Sequence, residues 1–142
     1  MKLMRLGFVF FLSVFSLFAQ SKTNQICNSF VDCEKKSDST SIHRKKIMFL
    51  SNAISAYSKD SSVEALLSVY LKRTRSILLE ANGDTGYSGE IVLKVSHKPE
   101  YKQAQLLKAE EDLKFIEDNM SKCSTDQIKE FNELKDLLQN SK

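Results

Sequence analysis

The sequence has 142 residues, of which 42% are hydrophobic and 27% are charged, and its formal net charge is +3. This length suits one domain rather than two. The small net charge excludes the strongly basic surface of a nucleic-acid-binding protein, so we expect no nucleic acid among its partners.

The N-terminal segment, residues 1–21, has the pattern of a secretory signal peptide. Lys2 and Arg5 form a basic stretch, and an apolar run of 13 residues follows from Leu6 to Phe18. That run is shorter than the about 20 residues that cross a bilayer as a helix, and small residues follow it, as signal peptidase prefers. We predict cleavage after Ser21, export to the periplasm, the cell envelope or the medium, and no stable membrane insertion afterwards. An uncleaved membrane anchor is the alternative.

Residues 22–40 are polar and rich in serine, and we predict a loosely structured arm there with a short helix at most. The arm contains Cys27 and Cys33, whereas Cys123 lies far along the chain. Cysteines of exported proteins commonly form disulfides, and three cysteines allow at most one intrachain bridge.

The spacing of the first two cysteines limits how they can pair. On a continuous helix, six rises would separate the α-carbons of Cys27 and Cys33 by roughly 9 Å, beyond the about 7 Å that a disulfide tolerates. We favour a Cys27–Cys33 bridge that closes a short loop in a non-helical arm and leaves Cys123 free. A bridge from Cys123 to either of the others would instead indicate a closed bundle.

Residues 41–142 are predicted to form one all-α domain, because apolar residues recur at intervals of three and four along four segments. The segments are residues 41–58, Val63–Ala81, a helix begun by Pro99 in its first turn, and a helix opened by a capping box at Ser124. Each carries a single apolar stripe, so none is stable alone. Short connections at residues 59–62 and 121–123 predict antiparallel helix hairpins.

A glycine-rich segment, residues 83–98, interrupts this helical pattern. Gly83 follows Asn82 as a helix-ending glycine does, and Ile91, Leu93 and Val95 alternate with other residues at a period of two. We predict a loop that carries one short extended segment. An extra helical turn over residues 90–97 is the alternative.

Two motifs resemble the second helix of a tetratricopeptide repeat, in which a small residue and a large one are four apart. They are Ala53-x3-Tyr57 and Ala109-x3-Leu113, and residues 70–84 resemble the first helix of that repeat. The resemblance covers residues 41–119. It departs from the family because the alanines are 56 residues apart, against a repeat of about 34. An ordinary four-helix domain is the alternative.

The resemblance implies a partner-binding groove lined by the first helix of each pair. For the basic side chains on or beside that helix, ordinary surface charge is the alternative interpretation. The candidate partner-binding residues are Tyr70, Lys72, Arg73 and Arg75.

No motif indicates a catalytic, cofactor or metal site. Cys27 and Cys33 are too widely spaced for a typical zinc site, and the two histidines, His43 and His97, have no partner at helical spacing. We therefore predict a small exported helical protein that binds a protein or peptide and is not an enzyme, or that supports a larger envelope complex. The alternative is a small envelope enzyme that uses Cys123 or His97 beside the loop at residues 83–98.

Overall fold

The computed structural model of the chain describes residues 26–87 and 95–142, and within them it is all-helical. No strand occurs among these residues, so the all-α prediction is confirmed for them. The helices are α1 (Phe30–Asp38), α2 (His43–Ser55), α3 (Val63–Ala81), α4 (Pro99–Asp118) and α5 (Thr125–Ser141), and a short 3-10 turn at Met120–Lys122 precedes the last one.

The helix ends follow the local signals in the sequence. Pro99 occupies the first turn of α4, where its missing N–H costs nothing. Ser124 and Gln127 form the predicted capping box at the start of α5. The α3 helix ends at Asn82, and Gly83 follows with a φ of 88°, which a glycine adopts without steric penalty.

The N-terminal arm is more structured than its composition predicts. It contains α1, which Ser29 caps by accepting a hydrogen bond from the backbone of Asp32 at 3.2 Å. Cys27 and Cys33 form a disulfide with α-carbons 5.1 Å apart, and Cys123 is free. The pairing is as predicted, but the non-helical setting is wrong for Cys33, which lies inside α1. The bridge can form because Cys27 precedes Ser29, the N-cap of α1, and is therefore outside the helix that contains Cys33.

Helix α3 is the central element of the fold. It packs against α2, α4 and α5, whereas α1 packs against α2. One core lies among α3, α4 and α5, and a second joins the disulfide and Phe30 to α2 and α3. The single-stripe prediction is therefore wrong for α3, since Leu67 and Val69 lie on nearly opposite sides of the helix and both are buried.

The first part of the loop is fixed to the beginning of α2. The backbone N–H of His43 donates to the carbonyl oxygen of Thr85 at 3.1 Å, and Val95 donates to Gly83 at 3.0 Å. Most of the predicted extended segment, and most of its helical alternative, lies at residues 88–94, outside the described residues. Residues 95–98 have no regular secondary structure.

None of the described helices combines the length and the apolar character that crossing a bilayer requires.

Candidate functional site

The four candidate partner-binding residues all lie on α3 and all make contacts within the chain. Arg73 is the most deeply held. Its Nε donates to Asp112 of α4 at 2.8 Å, its Nη2 donates to the other oxygen of that carboxylate, and its Nη1 donates to Ser51 of α2 at 3.2 Å. The side chains of Arg73 and Asp112 are only 12% and 3% exposed. This pair joins three helices and is not an open binding surface.

The other three candidates are less buried but are also paired. Lys72 contacts Glu34 at 2.9 Å and Asp38 at 3.1 Å, both on α1. Arg75 contacts two glutamates of α5. The Tyr70 ring stacks on Phe115 with centroids 4.2 Å apart, and burial raises the pKa of its hydroxyl. Their role in partner binding stays a prediction, and the structure assigns each of them a bracing contact.

Cys123 lies far from the described residues of the loop, 83–87 and 95–98. Cys123 lies next to the start of α5, where Gln127 donates to the carbonyl oxygen of Glu64 near the beginning of α3. The loop follows the opposite end of α3, whose 19 residues extend for about 28 Å. Burial also raises the pKa of the Cys123 thiol, which lowers the fraction of nucleophilic thiolate. The described residues of the loop therefore offer Cys123 no catalytic partner.

A groove runs along α4. Two cavities of about 420 and 400 Å³ share Glu110 and Lys142 and together form what we call the α4–α5 groove. The α4 residues in it recur at intervals of three and four over the whole helix, so they form one face: Pro99, Lys102, Gln103, Leu106, Leu107, Glu110, Leu113, Lys114, Glu117 and Asp118.

The described residues line the two halves of the groove differently. Helix α5 lines the half near Asp118 with Phe131, Lys135, Leu138 and Gln139, whereas Lys142 is the one described residue outside α4 that lines the half near Pro99, which we call the open half. In that open half, the Leu107 side chain is 54% exposed.

Two ion pairs cross the groove from one helix to the other. Lys142 contacts Glu110 at 2.7 Å, and Lys135 contacts Glu117 at 3.4 Å. All four side chains are between 39% and 60% exposed, so each pair contributes little to stability. These pairs can therefore open at small cost.

A further cavity, of about 400 Å³, lies where the loop meets the start of α2, and we call it the loop pocket. Ile42, Tyr87 and Val95 supply apolar walls. The charged residues Arg44, Lys45 and Glu80 also line it, as does His97.

The Glu80 carboxylate is buried in the wall of the loop pocket and is fully engaged. Its side chain is 5% exposed. Arg44 donates to it from Nε at 3.2 Å and from Nη2 at 3.1 Å, and the Tyr101 hydroxyl donates to it at 2.7 Å. Burial, and then the hydrogen bond to Glu80, raise the pKa of Tyr101. Tyr101 therefore stays a protonated donor at neutral pH.

Two histidine nitrogens near the loop are buried without a hydrogen-bond partner among the described residues. They are Nε2 of His97, whose ring lies 4.7 Å from that of Tyr101, and Nδ1 of His43. The other side of the His43 ring faces Asp84, with Nε2 3.6 Å from the carboxylate. Native proteins seldom leave buried polar atoms unpaired, because an unmade hydrogen bond costs free energy.

Sequence reasoning identified His97 but missed Glu80, Arg44, Tyr101 and the groove. Glu80 lies beside the apolar stripe of α3, and its partners Arg44 and Tyr101 are 36 and 21 residues away in sequence. Such long-range pairs leave no local pattern. The only sequence signal for the groove is Leu107, an apolar residue next to the stripe that contains Leu106 and Ala109.

The described residues include no cluster of three or more His, Cys, Asp or Glu side chains that could hold a metal ion. Comparison with known proteins found no matching family model, no similar curated protein and no similar solved structure. The tetratricopeptide resemblance stays a prediction. Ala53 and Ala109 are both fully buried, but Tyr57 of the first motif lies beyond the end of α2 at Ser55.

Proposed function

We propose that the protein is an exported, non-enzymatic interaction module that binds an amphipathic helix of a partner protein in the α4–α5 groove. The observation that carries this proposal is the apolar surface that α4 exposes in the open half of the groove. The groove follows one face of α4 along its whole length, about 30 Å, and Leu107 in its open half is 54% exposed. A partner helix laid beside Leu106 and Leu107 would continue the packing that α5 begins.

The apolar floor of the groove sets the pattern that the partner helix must carry. Leu106 and Leu107 lie one turn before Glu110, and Leu113 lies one turn after it on the same face. A helix binds such a surface through apolar residues at positions i, i+3 or i+4, and i+7. We expect these anchors to bury Leu107, which is the most exposed apolar residue of the groove.

The charges of the groove favour a partner with acidic flanks. Four lysines and three carboxylates line it. Within the described residues, Glu110 and Glu117 are paired with lysines, whereas Lys102 and Lys114 have no carboxylate within ion-pair distance. Carboxylates on the partner would meet these two lysines and add orientation and specificity more than affinity.

The export part of the proposal is supported by the signal-like pattern of residues 1–21 and by the Cys27–Cys33 bridge, since disulfides persist in oxidising compartments. We also propose that neighbouring helices form antiparallel hairpins, as the short connections suggest. Mass spectrometry of the protein from its native cellular fraction tests export directly. A mature chain that begins at Lys22 supports it, and an intact Met1 terminus contradicts it.

The binding proposal is tested by selecting helical peptides from a displayed random library on the purified mature protein. We expect enrichment of peptides with apolar residues at i, i+3 or i+4, and i+7, and with Glu or Asp on one flank. Fluorescence anisotropy of a selected peptide then gives its affinity. Leu107→Glu should weaken binding at least tenfold, because it places a carboxylate in the apolar contact.

Val31→Glu on α1 is the matched control, because Val31 is 67% exposed and lies outside the groove. It should leave peptide affinity unchanged, and circular dichroism should show both variants folded. Equal binding by the Leu107→Glu variant, or no enrichment of helical peptides, would overturn the proposal. Sedimentation of the free protein distinguishes a second copy of the chain, which would occupy the groove in a Leu107-dependent dimer.

A further inference from the structure

We propose that the loop pocket is a second, separate binding site, which takes a carboxylate attached to an apolar group. The carboxylate could belong to a free small acid or to the C-terminus of a peptide. Both would present the same chemistry to the pocket: one negative charge and an apolar body of modest size. The site lies at the end of α3 and the start of α2 and shares no lining residue with the α4–α5 groove.

The charge of the lining selects an anion. Arg44 and Lys45 are basic, and Glu80 is the one acidic residue among the described residues that line the pocket. Arg44 compensates Glu80, which leaves the charge of Lys45 unmatched by any carboxylate in the described chain. The Arg44 side chain is 73% exposed, so its outer surface remains open to a ligand, and a charged partner gives the stronger kind of hydrogen bond.

The apolar residues of the pocket select the body of the ligand. Tyr87 and Val95 are 55% and 44% exposed, although both are large apolar side chains, and Ile42 lies with them in the wall. Burying such surface is worth about 25 cal/mol for each Å². A volume of about 400 Å³ is at the small end of ligand pockets, which suits a single ring or a short aliphatic chain.

His97 gives the site an unused hydrogen-bonding group. Its Nε2 is buried without a partner in the described residues, and leaving such an atom unpaired is costly. A ligand oxygen, or a water molecule held by the ligand, would satisfy it after a small turn of the ring. The ring also lies against Tyr101, which donates to Glu80, so ligand binding should be visible in the signals of His97.

The test uses two carboxylic acids and their uncharged amides as probes. The acids are 4-phenylbutyrate, a free small acid, and acetyl-Gly-Phe, which has a peptide C-terminus. Each is titrated into isotope-labelled mature protein while nuclear magnetic resonance records the backbone amides and the His97 ring. We expect saturable shifts at residues 44–45, Tyr87 and His97, and at least tenfold weaker binding of the matching amide. The acid that binds more tightly identifies the source of the carboxylate.

Variants of exposed residues test the assignment without disturbing the fold. Lys45→Gln should weaken binding of the acid by about two- to fivefold, which corresponds to one exposed charge pair. It should leave the affinity for the amide unchanged. Tyr87→Ala should weaken both. Lys59→Gln, which removes the same charge beyond the other end of α2, and Leu107→Glu in the groove should change neither.

Three results would overturn the proposal. The first is equal affinity of the protein for the acid and for its amide. The second is a failure of the shifts to saturate with either acid at 10 mM, which is about the weakest dissociation constant worth assigning to a site. The third is a set of shifts scattered over surface lysines with none at His97. Because Leu107→Glu separates the two sites, failure of the loop pocket leaves the groove proposal intact, and failure of the groove leaves this one intact.

Discussion

The buried pair of Arg73 and Asp112 allows a prediction whose size follows from the structure. Arg73 makes two hydrogen bonds to the Asp112 carboxylate and a third to Ser51. The two paired side chains are 12% and 3% exposed, so truncating either one leaves a buried charge alone. Arg73→Ala and Asp112→Ala should each lower the free energy of unfolding by about 3–5 kcal/mol. That is a large share of the about 5–15 kcal/mol of a typical domain.

Replacing both partners with apolar residues should have a different effect. Burial raises the pKa of Asp112 even though the hydrogen bonds from Arg73 act in the opposite direction, so desolvation of the carboxylate outweighs its attraction to Arg73. The double variant Arg73→Met/Asp112→Leu should therefore be as stable as the wild type or more stable. Asp112 keeps its proton to higher pH in the folded state than in the unfolded state. The wild type should thus lose stability relative to this variant as pH rises from about 4 through the raised pKa.

Urea unfolding followed by circular dichroism measures these differences, because urea, unlike guanidinium, does not screen charges. Arg75→Ala is the matched control on the same helix. The Arg75 side chain is 43% exposed, and its removal should cost at most about 1 kcal/mol. Two results would refute the reasoning. One is a loss of unfolding free energy in Arg73→Ala and Asp112→Ala that is no larger than the loss in Arg75→Ala. The other is a double variant whose loss equals the sum of the two single losses.

Three further predictions concern the covalent and backbone features. Reducing the Cys27–Cys33 bridge, which spans a sequence separation of 6, should lower the unfolding free energy by about 2 kcal/mol, and unchanged urea midpoints with and without reductant would contradict this. Burial raises the pKa of Cys123, so iodoacetamide should alkylate it with a pH midpoint above the about 8.5 of a free cysteine; fast alkylation at neutral pH would favour the enzyme alternative. Gly86→Ala should destabilise by about 1–3 kcal/mol, because Gly86 has a φ of 71° and an added β-carbon would lie 2.0 Å from the Ser41 carbonyl oxygen; an unchanged melting temperature would contradict the loop geometry.

The helices could be predicted from the sequence because their signals are local. Val63–Ala81 agrees with the structure at both ends, and Pro99 and the Ser124 capping box mark the starts of the last two helices. The prediction was least specific for α1, because the polar composition of residues 22–40 indicated only a loosely structured arm with a short helix at most. The disulfide and Phe30 bury its inner face in the second core, and that stabilisation comes from contacts with α2 and α3 rather than from the helix itself.

The candidate sites could be predicted only in part, because burial depends on how distant helices meet. Lys72, Arg73 and Arg75 look alike in the sequence, yet only Arg73 faces a buried carboxylate, since Asp112 lies on α4 at 39 residues' distance. The groove likewise depends on how α5 packs along α4, which no local pattern records. His97 could be found by its residue type near the glycines, but its neighbours Glu80 and Arg44 could not.

The central claim is that the open half of the α4–α5 groove holds a partner helix, and methyl resonances of the leucines test it most directly. The mature protein is labelled at leucine methyl groups and titrated with a peptide selected from the helical library. If a partner helix binds there, the methyl signals of Leu106 and Leu107 should shift most and those of Leu138 less, while the signals of Leu50 in the second core should not shift. Shifts centred on Leu50, or spread evenly over all leucines, would contradict it.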